Sequence, residues 1–284
     1  MASPNSITVD KLARLVGTPS CPIIIDVRTD DDFASDPRLI PGSIRRDAYR
    51  VADWIADTRG LATVVVCQRG LKLSEGAAAW LRQGLVPADL LDGGVLAWAD
   101  AGLPMVPDAK LPPRDGLGRS VWVTRARPKV DRIACPWLIR RFVDPSAVVL
   151  FVSPSEVLGV AEKFGATPFD IEGEGVFWSH RGELCTFDVM VEEFGLGGNE
   201  ALRRLATIVR GADTARPDLA PEAAGLLAAS LGLSRMFDDD LRQLDAGLTL
   251  YDAFYRWCRD ATGETHNWTS HQPTKKTSKT GGKR

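Results

Sequence analysis

Two short β-branched runs, IIIDV at residues 23–27 and TVVVC at 63–67, each stop in a polar loop. A strand that is apolar without alternation is buried on both faces, which in a globular chain means a parallel sheet covered by helices. The intervening text supplies the helices. SEGAAAWLRQGL (74–85) carries helix formers, an apolar stripe and a closing Gly, and ADLLDGGVLAWADAGLP (88–104) reads as strand, Gly-Gly turn and short helix. SITVDKLARLV (6–16) reads as a strand leading into a helix, with Asp10 expected as its cap. The expectation for residues 5–107 is an α/β domain, a parallel sheet with helices on both faces.

The chain has 284 residues, enough for two domains. PDAKLPPRDGLGR (107–119) is rich in Pro, Gly and charge, so residues 108–119 are expected to be a linker. From 120 to 268 a second unit is expected, α+β and mostly α. SVWVTRAR and AVVLFVSP read as strands. VDRIACPWLIRRFVD reads as a helix kinked or started by Pro136, and long helical stretches follow residue 186. The aromatic series Tyr251, Phe254, Tyr255 and Trp257 has helical spacing and is expected in the core. Residues 269–284 are expected to be a disordered basic tail.

Net charge is −2, with no electrostatic case for nucleic acid or a membrane surface. No stretch approaches the roughly 18 apolar residues of a spanning helix. The opening residues lack a signal pattern, so a cytoplasmic location is expected. The five cysteines are odd in number, scattered and without a CxxC pair, which suggests neither a zinc knuckle nor a disulfide framework. Each is by default a small buried hydrophobe.

Cys67 departs from that default. It closes a strand at the sheet edge where open α/β sheets place ligands, and Gln68, Arg69, Gly70, Leu71 and Lys72 lead straight into a helix. The helix N-terminus, Arg69 and Lys72 all favour thiolate over thiol. Gly70 lets the loop curl so that several N–H groups turn inward as a nest for an anion.

Four motifs in order, IIIDVRTDDDF (23–33), LIPGSI (39–44), VVVCQRGLKLS (64–74) and LLDGGVLAWADAGLP (90–104), resemble the rhodanese family of sulfurtransferases. The resemblance implies a catalytic Cys67 that accepts sulfur from thiosulfate or a similar anionic donor, forms a persulfide, and passes the sulfur to cyanide or a thiol. It implies no cofactor for that transfer, and a substrate-binding loop of Gln68, Arg69, Gly70, Leu71 and Lys72. Leu73 stands where the family usually has Ser or Thr, with Ser74 one step later, which is expected to shift the helix cap. Leu73 also occupies the position where phosphatases of this fold carry arginine, so phosphatase chemistry is not expected. Asp26 and Arg28 belong to the family signature and are expected to be structural, Arg28 pairing with Asp32 or nearby groups. Asp92 is expected to shape the DGG turn.

In the second unit, SVWVTRARPKVDRIACPWLIRRF (120–142), residues 170–196, IVRGADTAR (208–216) and residues 250–268 resemble the C-terminal domain of chromate-resistance proteins of the ChrB type. The resemblance implies a link to chromate, with a rhodanese-like unit where those regulators have another N-terminal half. Arg125, Arg127, Arg132 and Arg140, beside Lys129 and Arg141, are candidates to hold an oxyanion; ordinary ion pairs on a solvated face account for them equally. His180 and Asp188, among several carboxylates, are candidate metal ligands, although the spacing identifies no metal and a hydrogen-bonded structural histidine fits too. Cys135 and Cys185 are expected to be buried.

The leading expectation is therefore an enzyme, a thiosulfate-type sulfurtransferase connected with chromate or oxyanion resistance. The alternative is a chromate or redox sensor whose second domain binds oxyanion or metal. DNA binding rests only on the basic tail, against the chain's acidic balance.

Overall fold

The computed structural model describes residues 5–264, so the expected tail at 269–284 and the last residues of the expected second unit lie outside the described residues. The first part runs β1 (Ser6–Ile7), α1 (Val9–Leu15), β2 (Ile23–Asp26), α2 (Asp30–Ser35), β3 (Arg38–Leu39), β4 (Ser43–Arg45), α3 (Val51–Trp54), β5 (Thr63–Val66), α4 (Lys72–Gln83), β6 (Ala88–Leu91), α5 (Gly94–Asp100) and β7 (Val106–Pro107). Five strands pair in the order β1-β6-β5-β2-β4, all parallel, as the unbroken apolar runs require. Thr8, not Asp10, caps α1: its hydroxyl accepts the Lys11 N–H at 3.4 Å, because the helix begins two residues earlier than the pattern suggests.

Successive strand side chains leave opposite faces of the sheet. Ile24, Val64, Val66 and Leu91 accordingly join one apolar cluster, and Ile25, Val27, Val65 and Cys67 join another under α4. The first cluster continues through Val106 into Trp122, Trp137, Phe142 and Tyr251, so the core crosses from the first part of the chain into the second. The segment between them is pinned along the way. β7 pairs antiparallel with β3, Lys110 meets Glu193 at 2.6 Å, and Arg114 meets the buried Asp144 at 3.3 Å.

The second part comprises β8 (Val121–Arg125), α6 (Asp131–Leu138), β9 (Val148–Val152), α7 (Val157–Phe164), β10 (Thr167–Pro168), α8 (Thr186–Glu193), α9 (Glu200–Asp213), α10 (Ala223–Met236) and α11 (Asp240–Asp260). Its sheet is small and parallel, in the order β10-β8-β9, and the rest is helical, as expected. Pro136 lies inside α6 rather than at its start, and the helix then widens by one residue, with Asp144 N–H bonded to Ile139 O at 2.8 Å. Trp137 is the hub of the helical core. Its ring centroid lies 5.7 Å from Phe142, 6.3 Å from Phe187, 6.2 Å from Tyr251 and 5.5 Å from Tyr255. Tyr251 and Tyr255 are buried as their spacing predicts, while Phe254 and Trp257 pack at the margin of the same cluster. Among the described residues, no helix is long and apolar enough to cross a membrane.

Candidate functional site

Cys67 follows β5, a central strand of the larger sheet, and its sulfur lies at the strand's C-terminal end under the first turn of α4. The residue is 4% exposed and has the aliphatic cluster of Val65, Ala77 and Ala78 on one side. On the other side the loop supplies polar contacts. Leu71 N–H donates to Sγ at 3.3 Å, and Ser74 Oγ lies 3.2 Å from Sγ while 3.0 Å from Leu71 O. One inward amide reaches the sulfur, where sequence reasoning expected several. A neighbouring helix terminus braces the loop through its carbonyls. Val95 and Leu96 N–H donate to Cys67 O and Gln68 O at 3.0 and 3.1 Å.

Two glycines make that bracing possible. Gly70 has φ +68°, and a Cβ there would lie 2.4 Å from Leu91 O. Gly94 has φ +62°, and a Cβ there would lie 2.2 Å from Cys67 O and 2.5 Å from Gly70 N. The backbone of α5 can approach the loop only because both lack side chains. Asp92 precedes this turn but acts through its backbone, its N–H donating to Ile7 O at 3.0 Å; its carboxylate makes no hydrogen bond among the described residues.

Arg69, Leu71 and Lys72 are exposed on the loop, Arg69 and Lys72 without an ion pair among the described residues. Gln68 Oε1 is buried without a hydrogen-bond partner. The helix starts at Lys72 with Leu71 as its cap residue, which makes no side-chain bond; Ser74 faces the sulfur instead of capping. Sequence reasoning treated Ser74 only as a displaced cap. A cleft of about 380 Å³ opens at the same sheet edge, lined by Val27, Thr29, Arg45 and Arg46 among others. Val27 shares the apolar cluster of Cys67, and its N–H is bonded to Val66 O at 2.8 Å.

Asp26 and Arg28 are structural groups whose partners are each other. The Arg28 guanidinium donates twice from Nε and once from Nη2 to Asp26 at 2.6–3.1 Å, and further to Asp36 O and Arg38 O. Both side chains are buried, at 0% and 1% exposure, so of the expected partners, Asp32 or nearby groups, Arg28 takes the nearby Asp26: a buried guanidinium needs a buried counter-charge, and Asp32 on α2 is only half-buried.

In the second part, the arginines expected to gather around an oxyanion have separate partners. Arg125 and Arg132 lie 3.4 Å from Asp170, Arg127 donates to Phe237 O and Ser234 O, Arg140 lies 3.8 Å from Asp245, and Arg141 forms two bonds to Asp252 at 2.8 Å. Arg125 and Arg132 share Asp170 while Arg127, Arg140 and Arg141 each engage a different neighbour, so no shared anion pocket is built from all of them.

A different cluster forms nearby. His180 Nε2 lies 3.2 Å from Asp213 Oδ2, 3.5 Å from Asp170 Oδ1 and 3.6 Å from Asp131 Oδ2. The four residues come from the start of α6, the loop after β10, the loop before α8 and the end of α9. Hydrogen bonds to Asp170 and Asp213 push the His180 imidazole up to about 10. Burial, with the Asp213 and Asp170 carboxylates close by, pushes the Asp131 carboxyl well up. Asp188, the other sequence-based metal candidate, is elsewhere. Its Oδ2 accepts from Cys185 N–H at 3.1 Å in a capping box at the start of α8, and its Oδ1 pairs with Arg210 at 3.2 Å. Cys135 and Cys185 are fully buried, and burial holds both thiols well above their ordinary range. The sequence signal for the cluster was Asp131, an acid at the head of a helix otherwise apolar enough to be buried.

With this geometry in view, the comparisons with known proteins divide the chain in the same places. Residues 8–101 match the model of the rhodanese-like domain, and residues 122–258 match that of the ChrB C-terminal domain. The chain is a rhodanese-like domain followed by a ChrB C-terminal domain. Protein ChrB of Cupriavidus metallidurans is 33% identical over 139 residues, which is 47% of this chain but only 39% of that protein. A sulfurtransferase of Allochromatium vinosum is 24% identical over 103 residues, 36% of this chain and 94% of that protein. Among solved structures, a rhodanese-related protein from Thermoplasma volcanium is 23% identical, covers 36% of this chain and 97% of that chain, and superposes with a TM-score of 0.32.

Proposed function

We propose that the rhodanese-like domain is a sulfurtransferase that moves sulfane sulfur through a persulfide on Cys67. The observation that carries this reading is the placement of Sγ at the C-terminal end of β5, facing the start of α4 and accepting the Leu71 N–H at 3.3 Å. An amide and a helix N-terminus aimed at sulfur favour its anion, both as thiolate and as persulfide.

In the first half-reaction the Cys67 thiolate attacks the outer sulfur of an anionic donor such as thiosulfate. A new S–S bond forms to Sγ, the donor's own S–S bond breaks, and sulfite leaves with the electron pair. In the second, cyanide or a thiolate attacks the outer sulfur of the persulfide. That sulfur departs as thiocyanate or an acceptor persulfide, and Cys67 is restored as thiolate. Ser74 Oγ, 3.2 Å from Sγ, steadies the charge on sulfur in both states by turning its one proton from Leu71 O toward sulfur. Arg69 and Lys72, exposed and without ion pairs among the described residues, together with Arg45 and Arg46 of the adjoining cleft, suit a negatively charged donor. No metal or organic cofactor takes part in these steps. The ChrB C-terminal domain connects this activity with chromate or oxyanion resistance, on the strength of its similarity to Protein ChrB.

Intact-mass measurement after incubation with thiosulfate tests the reading. The expected result is a gain of about 32 Da, one sulfur, on the wild-type chain, removed by cyanide and absent from Cys67→Ser. Full thiosulfate-to-cyanide transfer by Cys67→Ser would overturn it.

A further inference from the structure

We propose that Asp131, Asp170 and His180, with Asp213 set against the imidazole, bind one divalent first-row transition ion of the Mn²⁺, Fe²⁺ or Zn²⁺ class. The first support is spacing. Metal–ligand bonds of about 2.1 Å set neighbouring ligand atoms roughly 3.0 Å apart in an octahedron and roughly 3.4 Å apart in a tetrahedron. His180 Nε2 stands 3.2, 3.5 and 3.6 Å from one oxygen of each of the three aspartates, close to those polyhedron edges. One ligand atom each from Asp131, Asp170 and His180 all lie within 4.8 Å of one another.

The second support is independent of the spacing. The Asp131 side chain is 0% exposed, and its Oδ1 has no hydrogen-bond partner. Its Oδ2 accepts the Phe187 N–H at 3.3 Å and faces His180. A fully buried carboxylate left half-satisfied costs free energy that a coordinated cation would recover.

Charge leads to the same place. Three carboxylates surround one imidazole, and the nearby guanidiniums of Arg125 and Arg132 both approach Asp170, so that among the described residues His180 is the cationic side chain paired with Asp131 and Asp213. The donor set narrows the class of ion. An imidazole among carboxylates suits Mn²⁺, Fe²⁺ and Zn²⁺ better than Ca²⁺ or Mg²⁺, which prefer all-oxygen shells. Cys185 Sγ is engaged with Asp188 at 3.2 Å, which argues against a thiolate-type site. The site opens onto a cleft of about 650 Å³ lined by Arg125, Arg132, Ser179, His180 and Asp213, so an ion held there keeps coordination positions free for water or an anionic ligand. Glu172 also lines that cleft, without joining the cluster.

Binding is tested on the full chain, stripped with chelator and titrated separately with Mn²⁺, Zn²⁺ and, under anaerobic conditions, Fe²⁺. Elemental analysis is the second readout. The expected result is one equivalent per chain for at least one of the ions, weakened at least tenfold in His180→Ala and in Asp213→Asn. Both of these side chains are partly exposed, and their replacement leaves the core intact. Cys67→Ser should retain the full equivalent, which separates this site from adventitious thiol binding and from the sulfurtransferase reading. The proposal is overturned if none of the three ions binds at one equivalent, or if both variants bind as tightly as the wild type.

Discussion

A sulfur atom buried to 4% exposure gains its character from a few atoms around it. Leu71 N–H belongs to the backbone and can be removed only by proline, which would also fix φ in the loop. Ser74 Oγ can, and its 3.2 Å contact with Sγ is the side-chain interaction made there. Removing a hydrogen bond of this kind costs about 1 kcal/mol, so Ser74→Ala is expected to slow thiosulfate-to-cyanide transfer about fivefold. Its thermal midpoint should change little, because a small side chain replaces a small one. An unchanged rate would show that Ser74 serves only the helix turn through Leu71 O. The buried Asp26–Arg28 pair belongs to the same scale but to another task. It joins β2 to the carbonyls of Asp36 and Arg38 and so fixes the chain leaving the sheet edge. The pair was legible as a motif, and residues two apart on an extended strand share a face, but the sequence alone does not decide whether Arg28 meets Asp26 or an acid of the following helix.

At the level of elements, close approaches without side chains recur. Gly94 lets α5 brace the Cys67 loop, and Gly247 lets α11 lie against α6, where an added Cβ would stand 2.5 Å from Ile133 Cγ2. In isolation Gly→Ala in a helix stabilises by about 1 kcal/mol. Overpacking a buried contact costs about 1–3 kcal/mol, and Ile133 is itself 3% exposed with little space to turn. Gly247→Ala is therefore expected to lower the thermal midpoint by a few degrees. A rise would show that Ile133 rotates away freely. Helix and strand identities were readable from periodicity, including the strand before Cys67 and the buried face of α11 carrying Tyr251 and Tyr255. The cap of α1 and the position of Pro136 within α6 were not, since both depend on where a helix starts to within one or two residues.

For the whole molecule, the apolar cluster that runs from Ile24 and Val66 to Trp137 and Tyr251 decides how the two matched domains behave. Phe142 sits at the crossing: its carbonyl accepts the Gly42 N–H at 2.6 Å, and its ring occupies the place where a Cβ on Gly17 would lie, 2.2 Å from Cζ. Urea unfolding followed by tryptophan fluorescence and by far-ultraviolet circular dichroism should give coincident single transitions. Phe142→Ala should shift both together by about 3–5 kcal/mol. Two separated transitions would show that the shared core contributes little coupling. Cys67 belongs to the cluster on the opposite sheet face, and His180 to the loop before α8, so the proposed sulfur transfer and the proposed ion site rest on different packing layers.

The order of residues alone determined the parallel α/β first domain, the helical second domain and Cys67 at a strand end, because each is written in a local period or in a motif of neighbouring residues. Tertiary structure alone decided that His180 meets Asp131, Asp170 and Asp213 instead of Asp188, and that Arg125 and Arg132 converge on Asp170 while Arg127, Arg140 and Arg141 go elsewhere. Those encounters join segments tens of residues apart, and their geometry is set by how helices and strands pack against a common core. No local pattern records that packing.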